Sequence, residues 1–411
     1  MSAFPDGFLW GVSTAGHQNE GGNDRSDTWF LEHVEPTVFR EPSGVACGSY
    51  ERWAQDVDIV AGLGLDAYRF SVEWARVEPD PGEVRAEALD HYEAVVDRCL
   101  DRGIAPVLTF NHFTAPHWFG CAGGWLHPDA PARFAEYAAL LTRRLGDRAS
   151  AVVTLNEPNL PRLLTWLDLP AFVRGLERAT LEAASKAAGV ERYRAANVAL
   201  PEELDALEDG LAAAHTAARQ AIRAERSDLR VGLSVALADD VVLGDDASLR
   251  DRKRAEVYQR WLGLAREDDF VGVQNYERYV YDGNGQVPFP DDVPRNGMGS
   301  AIEPLSLAGA VRYAHDASGV PVLVTEHGLS THDDALREAF LGPSLDALAE
   351  AVADGVPVLG YLHWTLLDNF EWVFGYSHRL GLVAVDRTTL ERTPKGSARR
   401  YAELVRGYRG R

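Results

Sequence analysis

Two glutamates stand in the same local setting. Glu157 follows Thr154-Leu155-Asn156 and precedes Pro158, and the apolar run Ala151-Val152-Val153 comes just before. Glu326 lies in Val324-Thr325-Glu326-His327-Gly328, after Pro321-Val322-Leu323. Each carboxyl therefore ends a short β-type run of the kind that is buried. Burying a charge is costly unless it is paired, so the placement serves stability poorly. It serves chemistry well, because barrel enzymes keep their reactive groups at the C-terminal ends of parallel strands. Two such carboxyls suggest one acid and one nucleophile facing a glycosidic bond.

The elements that must position them can be read from periodicity. Short apolar runs predict strands at Phe8–Val12, Ala67–Phe70, Ala105–Thr109, Val152–Leu155, Val231–Val235, Phe270–Val273, Val322–Thr325 and Val358–Tyr361. They are continuous rather than alternating, as parallel strands covered on both faces are. Helical spacing recurs between them, in Tyr50–Leu63, Ala86–Arg102, Ala130–Leu145 and Glu203–Ala224, with Gly103 and Gly146 as stops. Eight strand–helix units predict an α/β fold, a (β/α)8 TIM barrel with long active-site loops. Tyr281–Pro304, rich in Gly, Pro and Asp, reads as a long loop walling the mouth. Trp166–Leu200 reads as weakly helical. Asp56, Asp58 and Asp239-Asp240 read as solvated faces or helix ends.

The chain has 411 residues, 46% hydrophobic and 25% charged, with no Pro-, Ser- or Gly-rich linker, so one catalytic domain over 1–411 is expected. The formal charge of −21 repels phosphate backbones and anionic lipid, which argues against nucleic acid and membrane partners. A neutral small molecule is the expected ligand. No apolar run approaches the roughly 20 residues of a membrane span, and MSAFPDGFLWG lacks a secretory pattern. Cys47, Cys99 and Cys121 are odd in number and scattered, the pattern of reduced thiols in a cytoplasmic protein. No Cys/His cluster has metal-ligand spacing, so no metal and no cofactor are expected. Nothing in the sequence specifies an oligomeric state.

Seven blocks, in order, resemble glycoside hydrolase family 1, the β-glucosidase type. They are FLWGVSTAGHQNEG from Phe8, YRFSVEWARVEP from Tyr68, TFNHFTAPHWF from Thr109, TLNEP from Thr154, DFVGVQNY from Asp269, VTEHG from Val324 and LLDNFEWVFGY from Leu366. The likeness runs on to Thr393-Pro394-Lys395 and Tyr401. It implies a retaining β-glycosidase with Glu157 as acid/base and Glu326 as nucleophile, and with Arg69 and Tyr276 touching the nucleophile. It further implies that Gln18, His112 and Asn156 hold sugar hydroxyls, that Glu371 and Trp372 add to them, and that Trp364 lies under the ring. Physical chemistry agrees: a sugar wants fixed donors and acceptors beside an aromatic plate. Arg69 beside Glu326 would keep it ionised, whereas Glu157 needs a raised pKa. The two carboxyls should stand about 5–5.5 Å apart.

The departures fall around the sugar and the leaving group. His327 follows the nucleophile where the family has Asn. Phe113-Thr114-Ala115 replaces Trp-Asp-Leu, and Gln274 replaces Asn. Leu380 replaces an aromatic residue, and Leu160–Ala171 looks shortened. Phe113 and Phe374 are the candidate specificity residues. Related readings on the same scaffold are a transglycosidase, a 6-phospho-β-glycosidase and a non-catalytic sugar-binding relative. The last would be expected to lack one glutamate. A phosphate site should show Ser, Lys and Tyr near 373–381, where Tyr376 and Ser377 occur without Lys. Glucosides are the expected substrates, with galactosides and fucosides as alternatives.

Overall fold

The computed structural model describes residues 3–167 and 169–410. Its frame is eight parallel strands: β1 (Leu9–Ser13), β2 (Ala67–Ser71), β3 (Ala105–Asn111), β4 (Ala151–Asn156), β5 (Val231–Ala236), β6 (Phe270–Asn275), β7 (Val322–His327) and β8 (Val358–Trp364). They close in the order β1-β8-β7-β6-β5-β4-β3-β2. The outer helices are α1 (Ser49–Gly62), α2 (Ala86–Asp101), α3 (Ala130–Leu145), α4 (Ala171–Ala188), α5 (Leu204–Glu225), α6 (Ser248–Val257), α7 (Ser306–Ser318), α8 (Asp334–Ala353) and α9 (Gly396–Arg409). A helix follows every barrel strand, as the eight-unit reading required.

Alternation along each strand divides two apolar layers. Ala67, Val107, Val153, Phe270, Leu323 and Leu362 fill the barrel interior. Their neighbours Tyr68, Leu108, Val152, Val271 and Val324 pack outward under the helices. Both faces are dry, which is why the strands read as unbroken apolar runs. Above the interior layer the lining turns polar. Ser13 Oγ donates to Thr325 O at 2.6 Å, and Ser234 Oγ donates to Thr325 Oγ1 at 3.0 Å. Gly272 is required at this level, since a Cβ there would lie 2.3 Å from Ser234 Oγ.

Three expectations change. The stretch expected as a loop from Tyr281 opens with a hairpin. Arg278–Asp282 pairs antiparallel with Gly285–Val287 and parallel with Asp239–Val242. The turn residues Gly283 and Asn284 close it, and Asp282 Oδ1 accepts from the Asn284 N–H at 2.7 Å. Asp56, Asp239 and Asp240 are buried, not solvated. Arg392 holds Asp56 at 2.8 Å, Arg278 holds Asp239 at 2.7 Å and Lys253 holds Asp240 at 2.6 Å. Each buried charge is compensated by a partner that sequence proximity does not reveal. Finally, the segment after Glu157 is more helical than its composition suggested. It forms a turn at Leu160–Leu163 and then α4, an 18-residue helix stopped by Gly189 at φ 68°.

Candidate active site

Both glutamates reach the barrel mouth through an irregularity in their strand. In β7, Leu323 points inward and Val324 outward. Simple alternation would then put Thr325 inside and Glu326 outside. Instead the register against β6 slips between Val324 and Glu326, and Glu326 pairs with Gln274. Two consecutive side chains, Thr325 and Glu326, therefore face the interior. In β4 the register against β5 slips between Val153 and Asn156. There the two consecutive side chains, Thr154 and Leu155, face the helices, and Asn156 returns inward. Thr154 Oγ1 meets His215 Nδ1 of α5 at 2.7 Å. One extra residue re-aims everything beyond it, as β-bulges beside active sites do. Glu157 leaves β4 at φ 44°, a left-handed conformation uncommon outside glycine.

Glu326 is 4% exposed and receives three donors. Arg69 Nη1 and Gln274 Nε2 each lie 2.7 Å from Oε1, and Tyr276 Oη lies 2.7 Å from Oε2. Arg69 is itself fixed, with Nε donating to Thr109 Oγ1 at 2.9 Å and Nη2 to Asn156 Oδ1 at 2.5 Å. Glu157 is 8% exposed, and its carboxyl has no hydrogen-bonded partner among the described residues. Burial pushes Glu157 well above the ordinary carboxylate range, and the charge of Glu326 adds to it. Burial also raises Glu326, but the Arg69 guanidinium and the Tyr276 hydroxyl oppose this. Of the two, only Glu326 has hydrogen-bond donors that oppose the rise. Arg69 touches Glu326, and Gln274 and Tyr276 share the same carboxyl.

Rings and amides surround the pair. His112 lies parallel to Trp364 at 5.5 Å and to Trp372 at 6.1 Å, and Trp372 stacks on His17 at 5.7 Å. Glu32 accepts from His17 at 2.8 Å and fixes the far end of this column. Trp364 packs with Ala15, Leu380 and Tyr276, so the leucine at 380 serves as backing for the indole. Gln18 Nε2 donates to Phe370 O at 2.8 Å and to Glu371 Oε2 at 3.1 Å. Burial, with the charge of Glu326, pushes Glu371 up to about 8. Gln18 Oε1 and His112 Nδ1 are buried without a partner among the described residues. Such orphaned groups need an explanation, and a polyhydroxyl ligand supplies one.

The structure thus brings Glu157, Glu326, Arg69, Tyr276, Gln18, His112, Asn156, Trp364, Glu371 and Trp372 into one connected site. Phe113 is close but buried, edge-on to Trp372 at 5.2 Å. Phe374 stands further out, 44% exposed and edge-on to His378. Among the described residues, no group of three or more His, Cys, Asp or Glu could hold a metal ion. No helix among them is long and apolar enough to cross a membrane.

A family model, glycosyl hydrolase family 1, matches residues 1–183 and 265–409. The chain belongs to that family. The thermostable β-glucosidase B of Thermobispora bispora is 34% identical, over 98% of this chain and 91% of its own length. The bifunctional β-D-glucosidase/β-D-fucosidase of Bifidobacterium breve is 30% identical, over 99% of both. Among solved structures, β-glycosidase BGL167 is 44% identical at a TM-score of 0.91, covering 98% of this chain and 97% of that one. The β-glucosidase of Thermotoga maritima in complex with noeuromycin superposes at 0.85 with 27% identity, over 99% of both chains. Residues 184–264, which the family model passes over, hold the end of α4, α5, β5 and α6.

Sequence reading noticed Gln274 only as a departure from the family. Its two contacts to the site follow from the slip in β7, which apolar periodicity does not reveal.

Proposed function

We propose that this glycosidase cleaves β-glucosides with retention of configuration, and that the two glutamates divide the work. Glu326 attacks the anomeric carbon and forms a glycosyl ester. Glu157 gives its proton to the departing glycosidic oxygen. Water, deprotonated by Glu157, then opens the ester and frees the sugar as its β-anomer. The observation that carries this reading is the asymmetry of the pair. One carboxylate is held by three donors, and the other is buried, has no partner among the described residues and is pushed well above the ordinary carboxylate range by burial.

Sugar recognition falls to the groups around them. Asn156 Oδ1 accepts from both Arg69 and Gln274, so its Nδ2 is left to meet a hydroxyl. Gln18, His112, Glu371 and Trp372 supply further donors and acceptors, and Trp364 the apolar plate. The names of the relatives favour glucosides, with fucosides second. A 6-phosphate reading is disfavoured, because Tyr376 already donates to Ser43 O and Ser377 to Phe374 O. The chain is read as one catalytic unit, since barrel strands span it from Leu9 to Trp364 and α9 closes the ring of helices.

Proton NMR of the sugar released from an aryl β-glucoside tests the mechanism. The β-anomer should appear first, followed by mutarotation. Early α-anomer would refute it.

A further inference from the structure

Gln274 joins the mouth ends of two strands that carry the chemistry. Its Nε2 lies 2.7 Å from Glu326 Oε1 on β7 and 2.7 Å from Asn156 Oδ1 at the end of β4. Both contacted atoms are acceptors, so the amide nitrogen, not its oxygen, must face them. Gln274 is 1% exposed, and its Oε1 has no partner among the described residues. Arg69 bridges the same two groups, with Nη1 on Glu326 and Nη2 on Asn156. It comes from β2, four places from β6 around the eight-strand ring, so the two bridges arrive from opposite walls. Tyr276 holds the other oxygen of Glu326, so what the second bridge adds is a further tie of Oε1 to Asn156 from the far wall.

Resting on the assignment of Glu326 as nucleophile, we propose that Gln274 is a positioning residue. It locks the Glu326 carboxylate and the Asn156 amide in one array, at a fixed spacing for attack at the anomeric carbon and capture of the neighbouring hydroxyl. The slip in β7 serves this array, because it is what sets Glu326 opposite Gln274. The titratable groups facing Glu326 are Arg69 from β2, Glu157 beyond β4, Tyr276 beyond β6 and Glu371 beyond β8. Gln274 is a donor beside them that does not titrate.

The test uses Gln274→Met, which keeps the chain length and removes both donated bonds. Losing a hydrogen bond to an ionised group should lower kcat/KM about 10- to 100-fold. The acidic limb of the kcat/KM–pH profile should move up by about one unit, because one donor to the charged form is gone. A role confined to packing would leave that limb in place. Should the methionine variant not fold, Gln274→Ala carries the test, since it also removes both donated bonds and adds no bulk; the same shift of the limb is expected. Each protein is also trapped with a 2-deoxy-2-fluoro-β-glucoside bearing a good leaving group, and the labelled peptide is identified by mass spectrometry. Label on Glu326 with slower trapping and a moved limb supports the proposal. Label on Glu326 with an unmoved limb overturns the role of Gln274 alone. Label on another residue overturns the nucleophile assignment and this proposal with it.

Discussion

Removing the charge of Glu326 should loosen the proton on Glu157, and the size of the effect follows from the site. Both carboxyls are almost fully enclosed, 8% and 4% exposed, so bulk water screens them little. At the separation of a retaining pair, about 5–5.5 Å, and an effective dielectric of about 20, two like charges repel by about 3 kcal/mol. That corresponds to roughly two pKa units on Glu157. The sign is fixed: a negative Glu326 disfavours ionised Glu157 and raises its pKa, so Glu326→Ala lowers it. Arg69, freed of its partner, acts in the same direction. The assay is azide rescue of Glu326→Ala on an aryl β-glucoside, followed across pH. The basic limb of kcat/KM reports Glu157 and should fall by about two units against the parent. A limb within about half a unit of the parent would refute the reasoning, because a one-pKa-unit shift is already about 1.4 kcal/mol of interaction. It would mean that burial alone, the larger cause of the raised pKa, holds the proton.

Three further outcomes are expected. Glu157→Ala should lose about 10²–10⁴-fold in kcat/KM on glucosides with poor leaving groups and far less on nitrophenyl glucosides; equal losses on both would count against its role as acid. Phe374, exposed at the rim, should favour apolar aglycones, so Phe374→Ala should raise KM for aryl β-glucosides with kcat unchanged, and the parent should turn over aryl glucosides better than cellobiose. Steady-state kinetics checks both. Burial pushes Asp27 up to about 7, although Ala115 and Thr28 donate to it; such a raised acid stabilises the fold fully at low pH and loses that contribution as pH rises through about 7. Asp27→Asn keeps the acceptor and should therefore gain stability relative to the parent at pH 8 compared with pH 5, as urea midpoints would show; a difference independent of pH would contradict this.

The barrel was legible because its strands are buried on both faces and announce themselves as apolar runs. The runs end early, however. Asn156, Gln274, Asn275, Glu326, His327 and Trp364 all belong to strands, yet none continues an apolar pattern. Asn156, Gln274 and Glu326 make their hydrogen bonds to side chains on other strands, so local sequence carries no sign of them. The two candidate glutamates stand out because polar residues after buried runs are conspicuous. Gln18 and Glu371, the proposed hydroxyl ligands, stand out only through the family blocks; they meet through a contact between residues 353 positions apart. Asp56, Asp239 and Asp240 were misread for the same reason, since Arg392 and Arg278 are distant in the chain.

The two bulges give the barrel two independent phases. Below them, alternation follows the packing of the interior layer, and any side chain there must suit its volume. Above them, the count is offset, and the chemistry follows its own register. Substitutions that repack Val153 or Leu323 leave the aim of Asn156 and Glu326 to the bulges rather than to the core. Deleting Thr325 would bring the two counts back into step: Glu326 would still fall opposite Gln274, but on a strand one residue shorter, without the Thr325 carbonyl and hydroxyl that Ser13 and Ser234 hold. The site is thereby insulated from drift in the core beneath it, and exposed to a change of a single residue in chain length.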